Sequence, residues 1–217
     1  MIHIVIADDH HLVRQGIRAL LEKQPEMRVI GEAQDGQQAI EITQTTNPDV
    51  LLLDINMPLM NGIEVTKRVH DSGISTQVLI LSMYSDLTLV RKAFRNGARG
   101  YLLKKSITED LINAVRAASM RQTYVSPTIP GWDQFNELIT PGDPEEKDIF
   151  DRLTQRERQV CQLIAEGLTN NAIANQLNIS IKTVEKHRAN LMDKLGVQDI
   201  TGLIREAIKH GVIFLEG

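Results

Sequence analysis

The chain has one cysteine among its 217 residues, which excludes a disulfide framework and a cysteine metal site. Cys161 stands beside Val160, Leu163 and Ile164 on a helical pattern and reads as a small core hydrophobe. Long apolar runs are also missing. Nothing approaches the roughly 18 residues of a membrane span, and Met1 leads straight into a short apolar run without a charged leader, so no membrane association or secretion is expected. Charge of one sign is scarce: the net charge is −4, too small to assign a partner. By segment it is more informative. Residues 120–152 carry 3 Lys+Arg against 7 Asp+Glu, whereas residues 153–217 carry 8 against 7, so only the last third has a positive balance. Proline is sparse, yet Pro127, Pro130, Pro141 and Pro144 fall together with Gly131 and Gly142, which marks a linker.

What is present is enough apolar sequence, 42%, to bury cores in two ordinary domains. Five apolar runs read as buried strands: Ile2–Ala7, Val29–Ala33, Val50–Asp54, Val78–Ser82 and Gly100–Leu103. Segments of helical period lie between them, such as Val13, Ile17, Leu20 and Leu21. Strand followed by helix, five times, predicts a doubly wound parallel α/β sheet over residues 1–119. Asp35, Asp86 and Thr108 are expected to cap helices, and Gly97 to end one. The linker, 120–152, holds Trp132, Phe135, Leu138 and Ile139 at helical spacing, which predicts a short docked helix. From Leu153 the pattern is all-α: four helices over 153–217. Thr154 and Glu157 have capping-box spacing, Thr169 and Ser180 open two further helices, and a tight turn at Asn178 and Ile179 suggests a helix-turn-helix at about 170–189.

In an open parallel sheet the ligand crevice lies outside the carboxyl ends of the strands. Asp8 and Asp9 follow the first run, Asp54 closes the third, Ser82 closes the fourth and Lys104 follows the fifth. Clustered carboxylates repel one another but hold a hard divalent cation through oxygen, and with a cation and a lysine nearby one carboxylate can accept a phosphoryl group. Taken singly, each residue has a plainer reading as a cap, a strand end or a solvated charge. Their joint placement favours a phosphorylation switch.

The segments IVIADDH (Ile4–His10), LDINMPLMNG (Leu53–Gly62), LILS (Leu79–Ser82) and GYLLK (Gly100–Lys104) resemble the receiver domain of two-component response regulators. The resemblance implies a flavodoxin-like five-stranded sheet and a role for each residue. Asp54 is the phosphoryl acceptor, Asp8, Asp9, Asp54 and the Asn56 carbonyl hold Mg²⁺, and Lys104 and Ser82 contact phosphoryl oxygens. Ser82 and Tyr101 form the switch pair, the ring following the hydroxyl. Lys105 stands where many receivers have proline. His10 and His11 follow the acids, but no further His or Cys spacing supports transition-metal ligation, and they read as helix-entry residues.

LTQRE from Leu153, LIAEGLTNNAIANQLNIS from Leu163 and TVEKHRANLMDKLGV from Thr183 resemble the LuxR-type DNA-binding domain, so the whole chain is similar to NarL/FixJ-family regulators. The helix Ile181–Leu195 can also be read physically. Val184, Leu191 and Leu195 form its inward stripe, and Lys182, Lys186, Ala189 and Asp193 lie opposite, flanked by Thr183, Glu185 and Asn190. Such a face suits the major groove of double-stranded DNA. Arg188, Thr169 and Asn170 are phosphate candidates.

The expected function is a cytoplasmic transcription regulator, not an enzyme, phosphorylated on Asp54 by a cognate histidine kinase and homodimeric when phosphorylated. A constitutive dimeric DNA-binding protein with a phosphorylation-independent receiver is the alternative. A Mg²⁺-dependent aspartyl phosphohydrolase is weaker, because it needs an acid two residues beyond the nucleophile and position 56 is Asn.

Overall fold

The structure, a computed structural model, describes residues 1–58, 60–131, 149–209 and 212–213, and the chain divides into two compact units, Met1–Asp143 and Pro144–Gly217. The expected linker helix through Trp132, Phe135, Leu138 and Ile139 lies outside the described residues.

In the first unit the strands are β1 (Ile2–Ala7), β2 (Met27–Ala33), β3 (Val50–Asp54), β4 (Gln77–Ser82) and β5 (Ala98–Leu103). The helices are α1 (His11–Leu21), α2 (Gly36–Thr46), α3 (Gly62–Asp71), α4 (Leu87–Arg95) and α5 (Ile107–Ser119). All strands pair in parallel, in the order β2-β1-β3-β4-β5, as the strand–helix alternation requires. A sixth strand of two residues, β6 (Tyr124–Val125), extends the β5 edge. Two residues are too few to show a strand period, which is why the sequence pattern predicts only five strands.

Every side chain of β3 is buried, the signature of a strand covered on both faces. Ile4, Ile6, Val50, Leu52, Leu79, Leu81 and Leu102 cluster with Ile17 and Leu21 of α1 and with Leu111, Ala114, Val115 and Ala118 of α5. Val5, Leu51, Leu53 and Ile80 alternate with them and are equally buried. At about 1.5–3 kcal/mol for each large apolar side chain removed from water, this core holds the strand ends at fixed spacing.

Local chemistry sets the joints. Asp35 accepts the Gln38 amide at 2.8 Å and caps α2, and Asp86 caps α4. Gly97 ends α4 with φ 97°, a conformation glycine adopts without penalty. Thr108 does not cap α5: the preceding 3-10 turn, Lys104–Ser106, brings Ser106 to that position. A fold-wide constraint falls on Gly62, where a Cβ would stand 2.4 Å from the Asp54 carbonyl oxygen. Only glycine lets α3 start against the end of β3.

The described part of the second unit opens with a 3-10 turn at Ile149–Arg152 and continues with α6 (Gln155–Ala165), α7 (Asn170–Leu177), α8 (Ile181–Leu195) and α9 (Ile200–Lys209). The capping box at Thr154 and Glu157 is complete. Glu157 is buried and also accepts from Lys194 Nζ at 2.6 Å, tying the start of α6 to the end of α8. Burial works against its charge, but Lys194 and the Thr154 hydrogen bonds hold its carboxyl below the usual range. Asn178, left-handed at φ 52°, ψ 49°, turns the chain between α7 and α8.

Candidate functional site

The crevice in the first unit forms where the strand order reverses, between β1 and β3. Asp8 follows β1, Asp54 ends β3, Ser82 ends β4 and Lys104 follows β5. Asp8 and Ser82 are fully buried, and Asp54 is 2% exposed. Lys104 Nζ lies 2.8 Å from Asp8 Oδ2 and 3.0 Å from Asp54 Oδ1, so one ammonium bridges both carboxylates. Asp54 Oδ2 is buried with no hydrogen-bond partner. A lone pair shut away from water and unmatched costs about 1–3 kcal/mol, which identifies a group kept for a ligand or a reaction.

Burial pushes the Asp54 carboxyl up from its ordinary 3.8 to about 6; Lys104 pulls it down, and Asp8 and then Asp9 push it up. Lys104 is affected the other way. Burial lowers its pKa, but Asp54 and Asp8 together hold the ammonium above its ordinary value. The pocket therefore carries a deficit of positive charge that one lysine does not cancel.

Asp9 is exposed at the rim, and Asn56 is half-buried with Nδ2 3.4 Å from the Tyr84 hydroxyl. Ser82 Oγ accepts the Tyr84 amide at 3.0 Å. Tyr101 is fully buried, and its hydroxyl donates to the Tyr84 carbonyl at 2.9 Å. Burial drives the phenol pKa far upward, so the hydroxyl remains a donor. Ser82 and Tyr101 interact through their side chains and also share the backbone of Tyr84, a residue whose position carries no distinguishing sequence signal.

Two further residues join the site. Arg14 is buried on α1, donating to the Asp8 carbonyl at 2.6 Å and to Glu32 at 3.3 Å. Its signal was available: it lies three residues before Ile17 on the apolar stripe, where a charge needs a partner. His10, expected at the helix entry, is the N-cap residue of α1, and its ring lies in the acidic cluster. His10 Nδ1 is 2.6 Å from Asp9 Oδ1 and 3.3 Å from Asp8 Oδ1. One ring nitrogen of His10 and one oxygen from each of Asp8, Asp9 and Asp54 all lie within 4.8 Å of one another.

In the second unit, Val184, Leu191 and Leu195 are the buried residues of α8. Lys182, Glu185, Lys186, Ala189 and Asn190 are exposed, and Thr183 and Arg188 are half-buried. Thr169 is engaged as the cap of α7, accepting the Ala172 amide at 3.3 Å, and Asn170 is the first residue of that helix, half-buried. Ser180 caps α8 through the Thr183 amide at 3.1 Å. These bonds brace α8 and leave its polar face clear of intramolecular packing.

Comparison with known proteins gives matches for both units. Residues 4–116 match the response regulator receiver domain, and residues 151–207 match the bacterial regulatory proteins of the luxR family. The chain is 36% identical to the transcriptional regulatory protein DegU of Brevibacillus brevis, over 97% of this chain and 94% of that protein. It is 38% identical to the oxygen regulatory protein NreC of Staphylococcus aureus, over 97% and 98%. Among solved structures, the response regulator RcsB of Salmonella typhimurium aligns with a TM-score of 0.58 at 28% identity, covering 94% of this chain and 98% of that one. Other RcsB structures hold it on DNA, one of them as two dimers on two parallel DNAs.

Proposed function

The chain belongs to the NarL/FixJ family of two-component response regulators, joining a receiver domain to a LuxR-type DNA-binding domain, and from that premise we propose that it is switched by phosphoryl transfer to Asp54. It is a DNA-binding regulator of transcription and not an enzyme. The observation that carries the switch reading is the Asp54 carboxylate, buried at a strand end with Oδ2 unpartnered and Oδ1 against Lys104.

The residues fit a hard divalent cation, since Asp8, Asp9 and Asp54 offer oxygen atoms at close range and the orphaned Oδ2 asks for a positive partner. Mg²⁺ held by these carboxylates and the Asn56 carbonyl would supply charge neutralisation for an incoming phosphoryl group. The protein's own part is positional. A carboxylate oxygen of Asp54 forms a bond to phosphorus as the bond to the donor imidazole of a histidine kinase breaks. Lys104 then pairs with a phosphoryl oxygen in place of the carboxylate charge it now bridges, and the Ser82 hydroxyl donates to another. The added charge of about −1.5 to −2 draws Ser82 away from the Tyr84 amide. Because Tyr101 is bonded to the carbonyl of that same residue, the backbone at Tyr84 couples the two.

The recognition surface is the exposed face of α8. Lys182, Lys186, Thr183, Glu185, Ala189 and Asn190 read base edges, while Arg188 and the Thr169–Asn170 helix start contact phosphates. Pairing of two phosphorylated chains would place half-sites about 10 base pairs apart, or a multiple of that spacing. No helix among the described residues is long and apolar enough to cross a membrane, and the proposed site of action is the cytoplasm. The test is chemical: incubate the protein with a small phosphodonor and map the acyl phosphate by mass spectrometry. A single modification on Asp54, lost in Asp54→Asn and in EDTA, is expected. Labelling that survives either change refutes the assignment.

A further inference from the structure

We infer that His10 is a ligand of the pocket's cation, adding an imidazole nitrogen to the oxygens of Asp8, Asp9 and Asp54 and fitting the site to a first-row transition ion such as Mn²⁺ as well as to Mg²⁺. The inference rests on the reading of the acidic pocket as a cation site. Ligands on adjacent corners of an octahedron with bonds of about 2.1 Å stand about 3 Å apart. His10 Nδ1 stands 2.6 Å from Asp9 Oδ1 and 3.3 Å from Asp8 Oδ1, separations that bracket this edge.

Neither packing nor capping accounts for the ring's position. The His10 side chain is 60% exposed, so no core contact fixes it. Although His10 occupies the N-cap position of α1, its side chain makes no capping hydrogen bond. Its backbone is fixed instead, because the His10 amide donates to Asp8 Oδ1 at 2.8 Å. An exposed ion pair between His10 and Asp9 would be worth little by itself. The independent sign of a cation site is Asp54, a member of the same cluster, whose Oδ2 is buried and unpartnered.

The chemistry of the donor set then decides the ion. Mg²⁺ takes oxygen ligands and keeps water, whereas imidazole suits first-row transition ions, whose affinity for nitrogen sites rises from Mn²⁺ onward. Coordination uses the lone pair of Nδ1, so the proton resides on Nε2. His11, the next residue, is exposed and absent from the cluster, which makes it an internal control.

The test titrates the full-length protein with Mn²⁺ by electron paramagnetic resonance, with Mg²⁺ affinity measured by competition. His10→Ala should raise the Kd for Mn²⁺ at least about tenfold and that for Mg²⁺ by less than about twofold. It should also remove the nitrogen hyperfine modulation from the bound Mn²⁺ signal. His11→Ala should change none of these. The inference is overturned if the wild-type signal lacks nitrogen modulation, if modulation persists in His10→Ala, or if both affinities fall together. Asp9→Asn separates this from the underlying reading. If it weakens Mg²⁺ binding while His10→Ala does nothing, the cation site stands and the histidine ligand does not; if it leaves Mg²⁺ binding unchanged, the cation site itself is refuted.

Discussion

Replacing Asp54 by Asn should stabilise the receiver in the absence of metal, although it removes a partner of Lys104. The substitution keeps the volume of the side chain and removes a charge that burial disfavours. In the folded protein the carboxyl titrates at about 6, against 3.8 as the ordinary value. At about 1.4 kcal/mol for each pH unit between those values, ionisation of Asp54 costs the native state about 3 kcal/mol at neutral pH. The sign follows from the raised pKa. The native state binds this proton more tightly than the unfolded chain does, so the stability it contributes is complete below about pH 4 and is lost as pH rises through about 6. Asp54→Asn should therefore match the wild type near pH 4 and exceed it by up to about 3 kcal/mol at pH 7.5, a rise of roughly 10 °C in the receiver transition. Calorimetry in EDTA from pH 4 to 8 measures the difference. Added Mg²⁺ should narrow it, because binding stabilises the wild type in proportion to ligand occupancy. A variant less stable than the wild type at pH 7.5 in EDTA, or a gap independent of pH, would refute the account of the pocket's electrostatics.

Ser126→Ala should cost the receiver about 1–3 kcal/mol in urea denaturation, because the buried Ser126 hydroxyl is the acceptor for the Leu103 amide at 3.0 Å and donates to Asp110 at 3.2 Å. In the helical unit, Lys194→Met leaves Glu157 buried without its cation. Since the Glu157 pKa is lowered, its contribution is present above the ordinary 4.5 and lost as pH falls below it; thermal scans should show a deficit for the variant at pH 7 that shrinks toward pH 3. Lys186→Ala should weaken DNA binding by about 1–3 kcal/mol and relax specificity at the base it reads, without changing the melting temperature. An unchanged affinity would remove Lys186 from the interface.

Much of this architecture was legible because the signals are periodic or stereochemical. Five runs of buried residues separated by amphipathic helices leave few topologies, and Asp35, Asp86, Thr154 and Ser180 cap the helices expected of them. The residues missed are those whose roles depend on three-dimensional approach. Tyr84 acts through its main chain, which no side-chain pattern reports. β6 is held by two residues and by Ser126, whose amide donates to the Tyr101 carbonyl at 3.0 Å. Thr108 has the composition of a cap but follows a 3-10 turn that begins at Lys104, so the helix starts one residue before it. His10 shows the converse: its place at the helix entry follows from order along the chain, but its approach to Asp9 depends on the turn out of β1.

We propose that chemistry at Asp54 governs DNA binding by α8 in the other unit. This control is tested most directly by measuring the affinity of the full-length protein for its selected DNA sequence at one fixed salt concentration, with and without phosphodonor, in the wild type and in Asp54→Asn. A coupling of about 1–3 kcal/mol predicts a change of roughly 5- to 150-fold in the wild type and none in the variant. Equal affinity of phosphorylated and unphosphorylated wild type at all protein concentrations would contradict it.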